Sequence, residues 1–364
     1  MASGRTPLPF LALGVLAFLL AVWAGLLRVG WPWPSPAAGL PAAHAVLMVS
    51  GFLGSLISLE RAVGLRASWG YVAPVASVLG SFALLVPPVQ FLAPVLLVFA
   101  SGVGVALLVA LLFVHRTPAV ALMCAGMASW LVGNLVWAAR FPALLAGDAL
   151  LWWIGFPVLL IAGERVELAR FRPTAISAGA ALYGLAALFI VASVVGLVRP
   201  LPANHLAGAA LAGIAVWLLL FDSARAQLGS AGLGRFIASA LIPGYVWLGL
   251  GGVFLAAPLP LQGPYLNDAM LHAVFLGFVM SMILAHAPIV FPALLGRPIP
   301  FRRAFYGPLA LLNASLILRV AGDLAVAQGL REWAGLLNAV ALVGFLVVTM
   351  GSARSVRSGP PAPA

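Results

Sequence analysis

Apolar runs of roughly 20 residues recur along the whole of this 364-residue chain, separated by short breaks rich in Pro and Gly. As an α-helix, a run of that length crosses the ~30 Å hydrocarbon layer of a bilayer while satisfying every backbone polar group within itself. The breaks at Pro32-Trp33-Pro34-Ser35-Pro36, Pro87-Pro88, Pro200-Leu201-Pro202 and Pro258-Leu259-Pro260 divide the runs. Twelve spans result, at 8–28, 39–62, 69–88, 91–114, 118–139, 144–166, 174–198, 204–223, 235–257, 266–288, 304–323 and 333–352. The expected fold is therefore all-α, a polytopic membrane protein with about 12 transmembrane helices. Short connections leave no room for a soluble domain, so residues 1–364 read as a single integral membrane domain with a disordered tail at 358–364. The first run, Phe10 to Leu27, follows Arg5 but lacks a small-residue cleavage site, and it reads as the first helix.

Composition matters next for charge. Only 7% of residues are charged, against about a quarter in soluble proteins. The net charge of +11 comes entirely from arginine, since the chain has no lysine. The arginines punctuate the ends of apolar runs, which fits membrane topology and not nucleic acid. Fourteen of nineteen lie at the N-terminus or after even-numbered spans; Arg28, Arg140, Arg199, Arg319 and Arg331 are the other five. That bias places both termini in the cytoplasm of a bacterial-type inner membrane. The lone Cys124 leaves no disulfide framework and no thiolate cluster.

Three spans share a register. Gly51-Phe52, Gly155-Phe156 and Gly277-Phe278 are each followed, nine residues after the Gly, by an ionisable residue: Glu60, Glu164 and His286. The starts lie 104 and 122 residues apart, enough for four helices per unit, and the pattern predicts three pseudo-symmetric four-helix arcs.

His44 and His272 sit at matched depth in the second and tenth spans, toward the outer face on the arginine topology. Two imidazoles so placed would grip one metal, and haem suits an apolar bundle with neutral His as axial ligand. Ala42, Ala43, Ala45 and Ala273 would let a porphyrin approach the backbone. The plainer alternative is a pair of imidazoles hydrogen-bonded to nearby carbonyls. Arg319, late in the eleventh span, needs an anion: a haem propionate supplies one, and Asp323, four residues on, supplies another. At the inner end, Glu60-Arg61 and Glu164-Arg165 repeat as a dipeptide. Either they form a salt-bridge network, or Glu60, Glu164 and His286 form a second metal site. On an ideal helix, the sixteen residues from His44 to Glu60 turn about 160°, whereas the fourteen from His272 to His286 end about 40° short of full turns. The second span would thus show its two groups on opposite sides, and the tenth on roughly one side. His115 reads as interfacial and His205 as a helix-start residue. Asp148 and Asp268 read as acids near helix N-termini. Asn134 and Asn313 are expected to bridge helices.

Twelve spans, inner termini and histidines in the second and tenth helices resemble haem-copper oxidase subunit I, built from three four-helix arcs. The sixth and seventh spans here have no His, and none lies within two residues of His272. The oxidases' copper centre is thus not expected, and copper has no support in the residues. The sequence also resembles the NnrS family of twelve-helix haem proteins linked to nitric oxide tolerance. The shared features are His44-Ala45 with Met48 and Gly51-Phe52, then His272-Ala273 with Gly277, and a Leu295-Gly296-Arg297-Pro298 segment. Ala45 stands where that family has Glu. The resemblance implies haem, as a b-type group, held by His44 and His272 with Arg319 nearby. It also implies a small gaseous ligand such as nitric oxide, or membrane electron transfer with a redox partner or respiratory complex. The competing class is a twelve-helix secondary transporter without haem; an assembly partner for a respiratory complex is a third.

Overall fold

The computed structural model describes residues 7–141, 147–169, 176–258, 263–296 and 298–355. Arg5, Arg170, Arg172, Arg297 and Arg357, which entered the topology count, and the expected tail lie outside them. Every described segment of regular structure is helical: α1 (Leu8–Val29), α2 (Leu40–Gly64), α3 (Val72–Ala83), α4 (Leu92–Val114), α5 (Pro118–Ala138), α6 (Leu150–Ala169), α7 (Ile176–Gly196), α8 (Pro200–Phe221), α9 (Leu233–Leu255), α10 (Pro264–His272 continuing through Ala273–Val279 to Met280–Leu295), α11 (Tyr306–Leu324) and α12 (Gln328–Ser355). Short turns at Ser68–Tyr71, Pro87–Val89, Ala224–Gln227 and Arg303–Phe305 link some of them.

The chain is an all-α polytopic membrane protein. Among the described residues, ten of these helices are long and apolar enough to cross a bilayer. Two expected spans fall outside that set. Helix α3 has 12 residues, about 18 Å of rise, well short of the ~30 Å layer. Its expected range, 69–88, shrinks at both ends: Ser68–Tyr71 is a 3₁₀ turn, and Val86 is extended (φ −121°) because Pro87 disfavours a helical residue before it. Helix α6 is long enough, but Glu164, Arg165 and Glu167 crowd its last turns.

Start signals are local. Thr117 caps α5 by accepting from Val120 N–H at 3.2 Å, with Pro118 at the first helical position. Gly296 ends α10 in the left-handed region (φ 61°). Helix α11 ends in a tighter bargain. Ala327 N–H returns to Gly322 C=O at 2.8 Å and Val326 N–H to Asp323 C=O at 3.2 Å, with Val326 at φ 53°. A β-branched residue is strained there.

Two compact units divide the chain: Met1–Asp222 with Gly252–Pro258, and Ser223–Gly251 with Leu259–Ala364. In the first, sequential helices pack as neighbours, α1 on α2, α3 on α4, α4 on α5, α5 on α6 and α7 on α8. The α5–α6 crossing is close because Gly126 and Gly163 have no side chain. A Cβ at Gly126 would lie 2.7 Å from Leu160 N, and one at Gly163 would lie 2.7 Å from Ala119 O. A buried polar cluster ties three helices together: Asn134 of α5 donates to Leu97 C=O and Ser101 Oγ of α4, both at 3.1 Å, and accepts from Trp153 Nε1 of α6 at 3.1 Å. The second unit packs α11 against α10 and α12. There Asn313 of α11 accepts from Trp247 Nε1 of α9 at 3.0 Å. Both asparagines bridge helices as expected.

Candidate functional site

Helices α2 and α10 carry the same local device. In α2 the segment Leu40–Val46, which contains His44, runs into a π-helix at Leu47–Gly54 that encloses Gly51-Phe52. In α10 the segment ending at His272 runs into a π-helix at Ala273–Val279 that encloses Gly277-Phe278. π-Helices occupy well under 1% of residues and concentrate at functional sites. Two of them, each beginning within three residues of a membrane histidine, mark these helices out. The third Gly-Phe, in α6, is followed by Pro157 within an α-helix.

The π-turns free backbone groups, and side chains take them up. Ser77 Oγ of α3 donates to Ser50 C=O at 2.6 Å, and Ser55 Oγ donates to Gly51 C=O at 2.6 Å. Trp130 of α5 donates from Nε1 to Ser50 Oγ at 3.0 Å, and its ring lies where a Gly54 side chain would be. In the second unit, Trp247 lies where a Gly277 side chain would be, and its Nε1 goes to Asn313 of α11. Each widened helix thus packs against a tryptophan through a glycine. This geometry corrects the angular expectation for both spans: i→i+5 bonding breaks the 3.6-residue phase between each histidine and the ionisable group beyond it.

His44 is half-buried between α1 and α2. Its Nδ1 lies 2.7 Å from Ala21 C=O, and a Cβ at Gly25 would touch its ring at 2.9 Å. His272 Nδ1 lies 2.8 Å from Asp268 C=O in its own helix. A carbonyl only accepts, so in each ring Nδ1 carries the proton and the lone pair sits on Nε2. The same holds for His205 on Ala256 C=O (2.9 Å) and His286 on Met282 C=O (2.7 Å). These are the bonds of the plainer histidine reading. They are also what fixes tautomer and orientation in a ligand imidazole. His115 is exposed.

Around His272 stands an ionic network that sequence reasoning recovered only in part. Asp268 Oδ2 accepts from Arg319 Nε at 3.0 Å and from Arg319 Nη2 at 2.7 Å, while Asp268 Oδ1 is 3.5 Å from His272 Nδ1. Arg331 Nη2 is 3.5 Å from the same Oδ2, and Arg331 Nε donates to Asp323 Oδ1 at 2.5 Å. Asp323 Oδ2 lies 3.7 Å from Arg319 Nε. The guanidinium of Arg331 also sits 4.6 Å over the ring of Tyr265. Two arginines and two aspartates from α10, α11 and the start of α12 neutralise one another. Arg319, expected near a propionate or Asp323, has Asp268 as its main partner, 51 residues earlier. Asp268 and Arg331 were missed in this role. Their signal was the cost of five ionisable groups at the ends of three apolar helices.

The other expected cluster lies in the first unit. Arg61 of α2 pairs with Glu164 of α6, joining the two Glu-Arg dipeptides. Arg165 pairs with Asp222 through bonds of 2.8 and 3.0 Å, and Glu167 accepts from Thr117 at 3.0 Å. Among the described residues no group of three or more His, Cys, Asp or Glu side chains is gathered for a metal ion. A haem iron asks the protein for only one or two ligands, and the imidazoles with Nε2 as acceptor fit that demand. Arg319 would have to share its guanidinium between a propionate and Asp268, which takes its Nε proton and one Nη2 proton.

Helices, burial and intramembrane charges together define a polytopic helical membrane protein with polar sites built at helix ends and helix widenings. The chain belongs to the family described as Domain of unknown function (DUF8744), which matches residues 6–354. No curated protein and no solved structure matches it.

Proposed function

We propose that this protein binds haem, as a b-type group, within a bacterial-type inner membrane, with both termini cytoplasmic and with His44 in the first unit and His272 in the second each offering Nε2 as an iron ligand. The observation that carries this reading is the repeated device: an imidazole fixed through Nδ1 on a carbonyl, at the start of a π-helix that passes through Gly-Phe. Bound haem would supply a one-electron couple and a coordination position for a small gaseous ligand such as nitric oxide. The chain's own residues hold the two rings in one tautomer. Ala43 and Ala273, both buried, keep the backbone beside them slim. The Asp268–Arg319–Arg331 network anchors the turn that carries His272. The resemblance to the NnrS and haem-copper oxidase scaffolds supports the same reading and the nitrosative-stress or electron-transfer role that goes with it.

A second reading draws on the same feature. Interruptions at corresponding places in two helices also mark substrate sites in secondary transporters. One preparation separates the two. Protein purified from haem-replete cells should show a Soret band that weakens in His44→Ala and in His272→Ala. Wild type with no Soret band, or a band unchanged in the double variant, would overturn the haem reading. Substrate uptake by haem-free proteoliposomes would establish the transporter in its place.

A further inference from the structure

The second unit is electrically one-sided. It contains three acids, Asp268, Asp323 and Glu332, all at the end formed by the start of α10, the end of α11 and the start of α12. There Asp268 and Asp323 are taken by Arg319 and Arg331, and Glu332 accepts from Gln328 at 2.8 Å. The opposite end has no acid in the sequence. It presents Arg225, Arg235, Arg302 and Arg303, all exposed. Arg235 spends its Nε on Leu228 C=O (3.2 Å) and Ser230 C=O (3.0 Å), pinning the 224–235 turn and leaving its two Nη groups beyond those bonds. The side chains of Arg225, Arg302 and Arg303 make no hydrogen bond or ion pair among the described residues.

Packing brings the Arg235 and Arg302-Arg303 segments together. The Phe236 ring lies 5.3 Å from Phe301, 5.8 Å from Phe305 and 5.3 Å from Tyr306, so Arg235 and the Arg302-Arg303 pair flank rings that touch. Phe305 in turn meets Phe345 at 5.7 Å, in the helix whose Val347 and Met350 side chains are exposed. The result is a rim with an aromatic cluster of Phe236, Phe301, Phe305 and Tyr306 and, next to it in the chain, exposed Arg235, Arg302 and Arg303. Arg225 lies on the turn that Arg235 pins, and α12 adds exposed apolar residues. Each exposed guanidinium carries a full positive charge, which attracts an anionic headgroup by about 1 kcal/mol near a membrane surface. A soluble phosphate needs only the charges, whereas an anionic phospholipid also uses the apolar surface for its acyl chains.

We propose that this rim is a binding site for the phosphate headgroup of an anionic phospholipid, with Arg225, Arg302 and Arg303 as the recognising groups and Arg235 as the residue that positions the turn carrying Arg225. The site stands apart from the haem reading and survives its failure.

Native mass spectrometry of the purified full chain with added phosphatidylglycerol or phosphatidylcholine tests this. Wild type should retain phosphatidylglycerol in preference, with retention falling about fivefold for each arginine changed among Arg225→Gln, Arg302→Gln and Arg303→Gln. The charge-keeping Arg302→Lys/Arg303→Lys variant should hold most of the lipid, which separates recognition from damage to the fold. Free inorganic phosphate should compete only weakly. Equal retention of the two lipids would overturn the proposal. So would unchanged retention in the triple Gln variant, loss in the Lys variant equal to that in the Gln variant, or competition by free phosphate as strong as by the lipid.

Discussion

Arg165 and Asp222 meet with side chains only 4% and 1% exposed, one on the last turns of α6 and the other just past α8. Charges that far from water are held largely by their mutual bonds, and removing one takes from the other its counter-charge. Arg165→Met and Asp222→Leu should therefore each cost about 3–5 kcal/mol, whereas the matched apolar double Arg165→Met/Asp222→Leu should lie close to wild type. Thermal unfolding in detergent across the four proteins of this cycle gives the answer, and additive single and double costs would contradict it. Val326 poses the converse case. At φ 53° its branched side chain is strained, so Val326→Gly should stabilise by about 1 kcal/mol despite the freedom glycine adds to the unfolded chain. A rise in Tm of a few degrees is the expected reading.

At the scale of elements, the widened turns of α2 and α10 are the features with most influence. A π-helix carries one residue more than the α-helix it interrupts, so deleting Val49, which leaves Ser50, Gly51 and Gly54 in place, should relax Leu47–Gly54 into ordinary helix. The protein should still elute as a single folded species. Taking out the extra residue leaves the turns on either side in phase, so the His44 ring should stay on Ala21 C=O. Any Soret band should then persist, unlike in His44→Ala. Deleting Val105 in the regular helix α4 should unfold the protein instead. Neither π-helix was legible in the sequence. Leu47-Met48-Val49-Ser50-Gly51-Phe52-Leu53-Gly54 is apolar all round, and a uniformly apolar run has no polar face whose phase could slip visibly. The spans themselves were legible for the same reason, since length and hydrophobicity suffice to place them. Boundaries failed where proline chemistry and 3₁₀ turns competed, as at both ends of α3.

Across the whole molecule, pairing between distant residues was the part the sequence hid. Asp268 and Arg319 are 51 residues apart, and Arg165 and Asp222 are 57 apart. Nothing in a single chain says which of several helix-end acids a given arginine will find. The Glu-Arg dipeptides were visible, but their crosswise use, Arg61 with Glu164 and Arg165 with Asp222, depended on packing. Orientation rests on the arginine bias and can be checked within the first unit alone. In a Cys124→Ala background, a cysteine at exposed Ser68 should react with an impermeant maleimide only after cells are opened. One at exposed Ser35, beyond the other end of α2, should react in intact cells. The opposite pattern would invert the topology.

The unequal ends of the second unit also bear on handling. Mobile ions reach solvent-facing guanidinium groups and weaken their long-range pull, but they do little to charges already pressed against a counter-charge under the surface. Raising the ionic strength of a purification buffer should thus strip adhering lipid from one extremity. It should leave the knot of Asp268, Arg319, Asp323 and Arg331 at the other tied.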